Sequence, residues 1–190
     1  MKRAFLIHGW GGKADGGWRP WLKRELEARG YVVESLDMPD TDNPRIETWV
    51  PFLAAAVGVP DEETVLVGHS IGCQTILRYM ATLPEGQHIG VAYLVGGWFS
   101  KRTNYDNEEE LRISKPWRET PIDFERVRRA AKEIVAIFSD NDPYVPLENE
   151  VAIRETFGAK TIILEKMGHL GEDDGVTELP ILLQEILMSS

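Results

Sequence analysis

The chain has 190 residues, with 21 Lys and Arg against 31 Asp and Glu, which gives a formal net charge of −10. Its 43% hydrophobic and 9% aromatic content is typical of a globular protein and excludes intrinsic disorder and collagen-like structure. Nucleic acids and anionic membrane surfaces attract concentrated positive charge, so we expect neither as a partner. The length suits one domain spanning residues 1–190.

The sequence holds one cysteine, Cys73, so neither an internal disulfide nor a cysteine-based zinc site can form. The apolar stretch that follows Met1, Lys2 and Arg3 is too short for a secretory leader. No apolar run approaches the roughly 18 residues of a membrane span. These features predict a cytoplasmic protein, and Cys73 itself is expected to be a small buried residue.

Six short apolar runs alternate with segments of helical periodicity. The runs cover residues 4–7, 31–36, 64–67, 91–95, 134–138 and 161–164. They are nearly continuously apolar rather than alternating, which is typical of parallel strands buried on both faces. The pattern therefore predicts an α/β fold with a parallel sheet of about six strands and helices on both of its faces.

Three helices can be placed from their spacing. One begins near residues 18–20 and ends at Gly30, one carries an apolar stripe over 46–57, and one carries the same spacing over 179–187. Residues 98–121 show no clear period, and we expect a short cap-like loop there. The acidic run at 106–110 is interpreted as a solvated helix start or loop.

The strongest motif is the sequence Gly-His-Ser-Ile-Gly at 68–72, between a predicted strand and a predicted helix. A sharp turn at this place lifts the Ser70 hydroxyl clear of the sheet, and glycines are needed at 68 and 72 to avoid collisions with the neighbouring strand and helix. Ser70 is therefore the candidate nucleophile, and the Ile71 N–H is a candidate oxyanion donor at the helix N-terminus. The alternative is a serine that merely caps a helix.

A serine nucleophile needs a base, and the sequence has four histidines: His8, His69, His88 and His169. His169 follows the last predicted strand, where ligand chemistry occurs in open parallel sheets, and is the preferred base. We prefer Asp142, in the loop after the fifth strand, as the acid that orients it, with Asp140 as the alternative.

The order Ser70, Asp142, His169 is that of the α/β-hydrolase design. Each of the three residues follows a different predicted strand at its carboxyl end, so we expect the three side chains to meet at one edge of the sheet.

A glycine-rich loop at residues 8–12 follows the first strand. In a hydrolase the backbone N–H of Trp10 would be the second oxyanion donor. The same loop also matches a dinucleotide-binding pattern through Gly9, Gly11 and Ala14, with Asp37 as the ribose-binding acid. The first helix opens too late for that pattern, so dinucleotide binding is kept only as the less favoured alternative.

Several aromatic residues could form the substrate pocket. Trp98, Phe99, Tyr105, Trp117 and Tyr144 lie in or near the predicted cap and the acid loop. They would either line an acyl or leaving-group pocket or pack beneath the long loop.

Taken together, these motifs resemble the small α/β-hydrolase-fold serine hydrolases related to retinoblastoma-binding protein 9, over essentially the whole chain. The resemblance implies a compact sheet, a minimal cap and a Ser70–Asp142–His169 triad, and hydrolysis by such a triad needs no cofactor or metal. It also implies esterase or amidase activity on small acyl substrates, with any protein partner unknown. The glycine loop reads His-Gly-Trp-Gly-Gly where many lipases have His-Gly-Gly-Gly. A fold that serves as a binding module with an idle triad is the alternative.

Overall fold

The computed structural model describes residues 1–99, 102–105 and 107–189. The strands are β1 (Arg3–Ile7), β2 (Val32–Leu36), β3 (Thr64–His69), β4 (Ile89–Val95), β5 (Ala131–Ser139) and β6 (Lys160–Leu164). The helices are α1 (Arg19–Glu27), α2 (Ile46–Val57), α3 (Ile71–Thr82), α4 (Glu108–Glu119), α5 (Phe124–Arg129), α6 (Glu148–Phe157) and α7 (Pro180–Met188). Each predicted strand is present, and its ends lie within a few residues of those expected.

The strands form one six-stranded sheet in the order β2-β1-β3-β4-β5-β6, and every pair is parallel. The predicted fold class is confirmed. The chain builds outward from β1 to β2 and then crosses back to place β3 on the other side of β1. The loops that follow β1 and β3 therefore leave in opposite directions, which opens a crevice at the carboxyl ends of these two central strands.

Helices cover both faces of the sheet, and each face has its own apolar core. On one face α2, α3 and α6 pack over residues such as Phe5, Leu66 and Phe138. On the other face α1 and α7 pack over alternate strand residues such as Leu6 and Val67. Because successive strand residues point to opposite faces, a run that is apolar at every position supplies both cores.

The expectation of a loop over 98–121 is wrong for residues 108–119, which form α4. Its buried side is narrow, with only Ile113, Ser114 and Trp117 buried, so the helical period is weak in the sequence. The Asn107 side chain caps the helix by accepting a hydrogen bond from the Glu110 N–H. The predicted helix start within the acidic run is therefore present at 107–110, while Asp106 lies outside the described residues.

None of the helices in the described part of the chain is both long enough and apolar enough to cross a bilayer.

Candidate active site

Ser70 occupies a strained turn between β3 and α3. Its backbone has φ 53° and ψ −119°, a region that non-glycine residues rarely adopt. A Cβ atom on Gly68 would lie 2.8 Å from the Cys73 nitrogen, and one on Gly72 would lie 2.7 Å from the Ile7 carbonyl oxygen. Both glycines are therefore required by close backbone approach, as the sequence motif predicts.

Ser70 lines a cleft of about 370 Å³ at the carboxyl edge of the sheet, together with His169 and the glycine-rich loop. The Ser70 N–H donates to the Val95 carbonyl at 2.9 Å, which ties the turn to the end of β4. Cys73 lies one turn further on and is buried, and burial raises the pKa of its thiol. A high thiol pKa makes it unreactive, in line with the expected structural role.

Asp142 and His169 are joined by a short hydrogen bond. The His169 Nδ1 lies 2.7 Å from Asp142 Oδ2, and the carboxylate side chain is only 2% exposed. The other carboxylate oxygen accepts hydrogen bonds from the N–H groups of Tyr144 and Val145, at 2.8 and 2.9 Å. The carboxylate is thus fixed from both sides. It accepts the Nδ1 proton of His169, so Nε2 is the unprotonated nitrogen of the neutral ring.

Asp140 makes a different set of contacts. Its Oδ1 accepts a hydrogen bond from the Lys166 N–H at 2.7 Å, and the neighbouring Asn141 accepts one from the Gly168 N–H at 2.9 Å. These two side chains connect the acid loop to the loop that carries His169. The structure therefore brings Asp142, rather than Asp140, to the imidazole.

Among the described residues, no hydrogen bond joins the Ser70 hydroxyl to the His169 ring, although both line the cleft. Hydrogen bonds between nucleophile and base are often long in ligand-free enzymes and tighten when substrate binds. The arrangement provides a hydroxyl, an oriented imidazole and a buried carboxylate at one edge of the sheet.

His69 packs behind the candidate base. Its Nε2 donates to the His169 carbonyl at 2.8 Å, and the two rings lie 5.0 Å apart. Burial, and to a smaller extent the nearby His169, keeps the pKa of His69 well below its ordinary value. The ring is therefore neutral in the folded protein near neutral pH.

The glycine-rich loop lies directly against the nucleophile turn. A Cβ atom on Gly9 would be 3.2 Å from the Ser70 Cβ, so the loop backbone needs glycine to approach. The Gly9 carbonyl accepts from the Gly12 N–H at 3.2 Å and from the His8 Nδ1 at 2.6 Å. Among the described residues the Trp10 N–H has no acceptor, which leaves it available to a ligand.

The tautomer of His8 follows from its two contacts. Its Nε2 accepts a hydrogen bond from the Met38 N–H at 3.0 Å, so the proton of the neutral ring is on Nδ1, which donates to Gly9. Burial lowers the pKa of His8 and favours this neutral form. Because a trans peptide directs its C=O and N–H to opposite sides, holding the Gly9 carbonyl also orients the Trp10 N–H.

The prediction that aromatic residues form the substrate pocket is wrong for most of the residues named. Of the proposed residues only Tyr144 lines the cleft; Trp98, Phe99 and Trp117 are not among its described lining residues. Trp98 and Trp117 are buried in the core beside α3, and the Trp117 indole donates to the Pro44 carbonyl at 2.9 Å. Phe99 instead packs against two other phenylalanines, Phe124 and Phe157. Trp117 is buried because α4 packs as a helix and does not form an open loop, whereas Phe99 is only partly buried.

Charged residues occupy much of the cleft wall, in place of the expected aromatic ones. They are Arg19, Arg102, Glu110, Glu172, Asp173 and Asp174. The Arg102 guanidinium contacts Glu110 at 3.3 Å and lies over the rings of Tyr105 and Tyr144. No local motif marks these residues, because they come from four separate segments that only the fold brings together.

A parallel sheet with a strained serine turn after a central strand, and an acid and a histidine on later loops, defines an α/β hydrolase. The chain belongs to the serine hydrolase family, whose family model, described as "Serine hydrolase", matches residues 4–187. Family membership and fold are thus confirmed as the resemblance implied.

Two curated relatives cover most of the chain. YdeN of Bacillus subtilis (strain 168) is 32% identical over 181 residues, covering 95% of this chain and 92% of YdeN. The serine hydrolase RBBP9 of Rattus norvegicus is 26% identical over 170 residues, covering 88% of this chain and 86% of the relative.

Solved structures agree with this assignment. The crystal structure of the B. subtilis ydeN gene product superposes with a TM-score of 0.90 at 29% identity, covering 100% of this chain and 98% of that one. Est1E from Butyrivibrio proteoclasticus with bound ferulic acid has a TM-score of 0.74 at 15% identity, covering 98% of this chain and 86% of that chain. The latter likeness concerns the fold alone.

Proposed function

We propose that the protein hydrolyses ester or amide bonds of small acyl substrates through an acyl-enzyme formed on Ser70. The observation that carries this proposal is the 2.7 Å hydrogen bond between His169 and the buried Asp142, at the cleft that also holds the strained Ser70 turn. A binding module has no need of a buried carboxylate that fixes the tautomer of a histidine beside a strained serine.

In the proposed reaction, Ser70 Oγ attacks the substrate carbonyl carbon while His169 Nε2 takes the hydroxyl proton. The same proton then passes to the leaving alcohol or amine as the bond to the acyl carbon breaks. Asp142 stabilises the imidazolium that forms in between. His169 then takes a proton from a water molecule, which attacks the acyl carbon. The proton passes to Ser70 Oγ as its bond to the acyl carbon breaks, and the carboxylic acid is released.

The proposed oxyanion donors are the backbone N–H groups of Ile71 and Trp10. Ile71 is the first residue of α3, where N–H groups have no partner within the helix and the dipole favours negative charge. Two such donors aimed at the developing oxyanion typically supply several kcal/mol of transition-state stabilisation, about 3 for one of them.

A fluorophosphonate probe, which needs an activated serine, separates this proposal from the binding module with an idle triad. The wild type is expected to be labelled and Ser70→Ala is not. Equal labelling of both proteins, or none of either, would contradict the proposal. A panel of short and long acyl esters, amides and thioesters then identifies the bond type.

A cytoplasmic location is part of the same proposal. It is supported by the single cysteine, Cys73, which cannot form an internal disulfide and is buried beside the Gly68 and Val95 carbonyls.

A further inference from the structure

Arg19 is a buried cation in the wall of the cleft. The residue is 5% exposed, yet it lines the same cavity as Ser70 and His169. Two of its guanidinium nitrogens, Nε and Nη2, donate to the Lys13 carbonyl at 3.1 and 3.0 Å. The third, Nη1, has no hydrogen-bond partner among the described residues and is not sealed from solvent.

No carboxylate in the described part of the chain forms an ion pair with Arg19 within 4.0 Å, although other arginines have such pairs. The two acidic groups whose charges act on Arg19, Glu172 and Asp15, are solvent-exposed. Burial outweighs their influence and lowers the pKa of Arg19 to about 10. A buried charge without a counter-ion is costly, and it is usually retained where a ligand supplies the opposite charge.

The helix that begins at Arg19 adds to the positive potential there, in opposition to the carboxylates that line the cleft. Arg19 is the first residue of α1, a nine-residue helix whose first turn contains no acidic side chain. The positive end of the helix dipole therefore adds to the guanidinium charge. The Arg19 guanidinium also lies over the Trp18 ring, 5.7 Å from its centroid, whereas Arg102, the other arginine among the described lining residues, forms an ion pair with Glu110.

We propose that the cleft selects acyl substrates that carry a free carboxylate, which pairs with Arg19 while the Ser70 hydroxyl attacks the ester or amide carbonyl. This inference rests on the proposed hydrolase function and names its substrate class: monoesters and monoamides of small dicarboxylic acids, in which the second carboxyl group is free. A planar carboxylate accepts two N–H groups from a guanidinium fork, and its single negative charge matches the single positive charge of Arg19. A dianionic phosphate fits less well, because Glu172 and Asp173 also line the cleft.

The cavity agrees in size with such a substrate. About 370 Å³ lies at the lower end of the range for small-molecule sites. Charged groups on its wall disfavour a long alkyl chain, since such a chain would desolvate them without pairing them.

The test compares monoethyl succinate, glutarate and adipate, here called half-acids, with the matched ethyl ester amides, here called half-amides, in which a neutral primary amide replaces the free carboxylate. We expect kcat/KM of the wild type to be at least 10-fold higher for the half-acid at one or more chain lengths. A ratio at or below one at every length overturns the proposal without the need for any variant.

Arg19→Gln keeps a hydrogen-bond donor but removes the charge. It is expected to lower kcat/KM for the preferred half-acid by about 10- to 100-fold, the range for losing a hydrogen bond to a charged group, and to leave the half-amide within about 2-fold. Arg24→Gln, on an exposed position of the same helix, is the matched control and should change neither rate. Glu172→Gln should raise the rate on the half-acid, because it removes a competing negative charge.

Fluorophosphonate labelling separates the two proposals. A wild type that is not labelled contradicts the hydrolase function itself. A wild type that is labelled, but whose preference for half-acid over half-amide is the same in Arg19→Gln, contradicts only the carboxylate specificity.

Discussion

The Nε2 of His69 donates a hydrogen bond to the main-chain carbonyl of His169, 100 residues away, at 2.8 Å. The residue that precedes the candidate nucleophile therefore holds the loop that carries the candidate base. Gly168 and Leu170, on either side of His169, both have positive φ, 56° and 58°. This loop adopts an unusual backbone conformation that requires support from outside, and His69 supplies part of it.

Replacing His69 tests this support. His69→Phe keeps an aromatic ring but removes the donor, and we expect kcat to fall by up to about 100-fold because the His169 ring loses its position. His69→Gln, whose amide can still donate, should retain most of the activity. Steady-state kinetics with chemical unfolding as the control for stability distinguishes the two variants. Equal activity of His69→Phe and the wild type would show that the hydrogen bond has no positioning role.

The same buried histidine makes stability dependent on pH. The pKa of His69 is lowered in the folded state by burial, so between the folded and unfolded pKa values the unfolded chain binds the additional proton. The contribution of His69 to the free energy of unfolding is therefore fully present above pH 6.5 and is lost as the pH falls toward the lowered pKa of the folded state. One histidine with an unfolded pKa of about 6.5 can contribute no more than about 2 kcal/mol of loss at pH 5.

Urea unfolding at pH 8 and pH 5 measures this effect. Burial also lowers the pKa of His8, which therefore destabilises both proteins as the pH falls. The wild type should lose more stability than His69→Gln over this range, because only the wild type contains His69. An identical pH dependence in the wild type and His69→Gln would mean that His69 takes up its proton equally well in the folded state.

The fold could be predicted because parallel strands leave a local signal. A run such as residues 134–138 is apolar at every position, and this pattern can be recognised in the sequence without knowing which strands lie beside it. The Ser70 turn could be predicted for a similar reason, since the Gly68 and Gly72 contacts are dictated by the strand and helix that immediately adjoin them.

Which side chains line the cleft and which are buried in the core could not be predicted, because both depend on long-range contacts. Trp117 is buried through its contacts with α2 and α3, among them a T-shaped contact with Trp49, and nothing in its local sequence indicates this. Arg19 belongs to the amphipathic start of a helix and would be assigned to the surface. Its burial follows only from the way the 13–17 turn and the 171–174 segment close around it.

The choice between the two aspartates leads to a matched pair of variants. Asp142→Asn removes the charge that would stabilise the His169 imidazolium and can impose the wrong tautomer, so kcat should fall by about 10³- to 10⁴-fold. Asp140→Asn leaves an acceptor for the Lys166 N–H and should stay within about 3-fold of the wild type. Kinetics on one short-chain ester measures both. A larger loss in Asp140→Asn than in Asp142→Asn would reverse the assignment.

The Trp10 N–H is a backbone group and cannot be removed by substitution, but His8 gives access to it. His8 Nδ1 holds the Gly9 carbonyl at 2.6 Å and thereby fixes the peptide that carries the Trp10 N–H. Interactions made only in the transition state affect kcat and leave KM nearly unchanged. His8→Ala is therefore expected to lower kcat by about 10- to 100-fold, less than the loss of a whole oxyanion donor, with KM within about 2-fold.

His88→Ala, at a half-buried histidine beside the Glu62 side chain and far from the cleft, is the control and should leave kcat and KM unchanged. Because His8 is buried, its variant will also lose stability, and unfolding curves define a temperature at which both proteins are fully folded. At that temperature, an unchanged kcat in His8→Ala would show that the His8 hydrogen bond is not needed to orient the Gly9–Trp10 peptide, which the Gly12 N–H also holds. A rise in KM with constant kcat would instead mean that the loop binds substrate and transition state equally well.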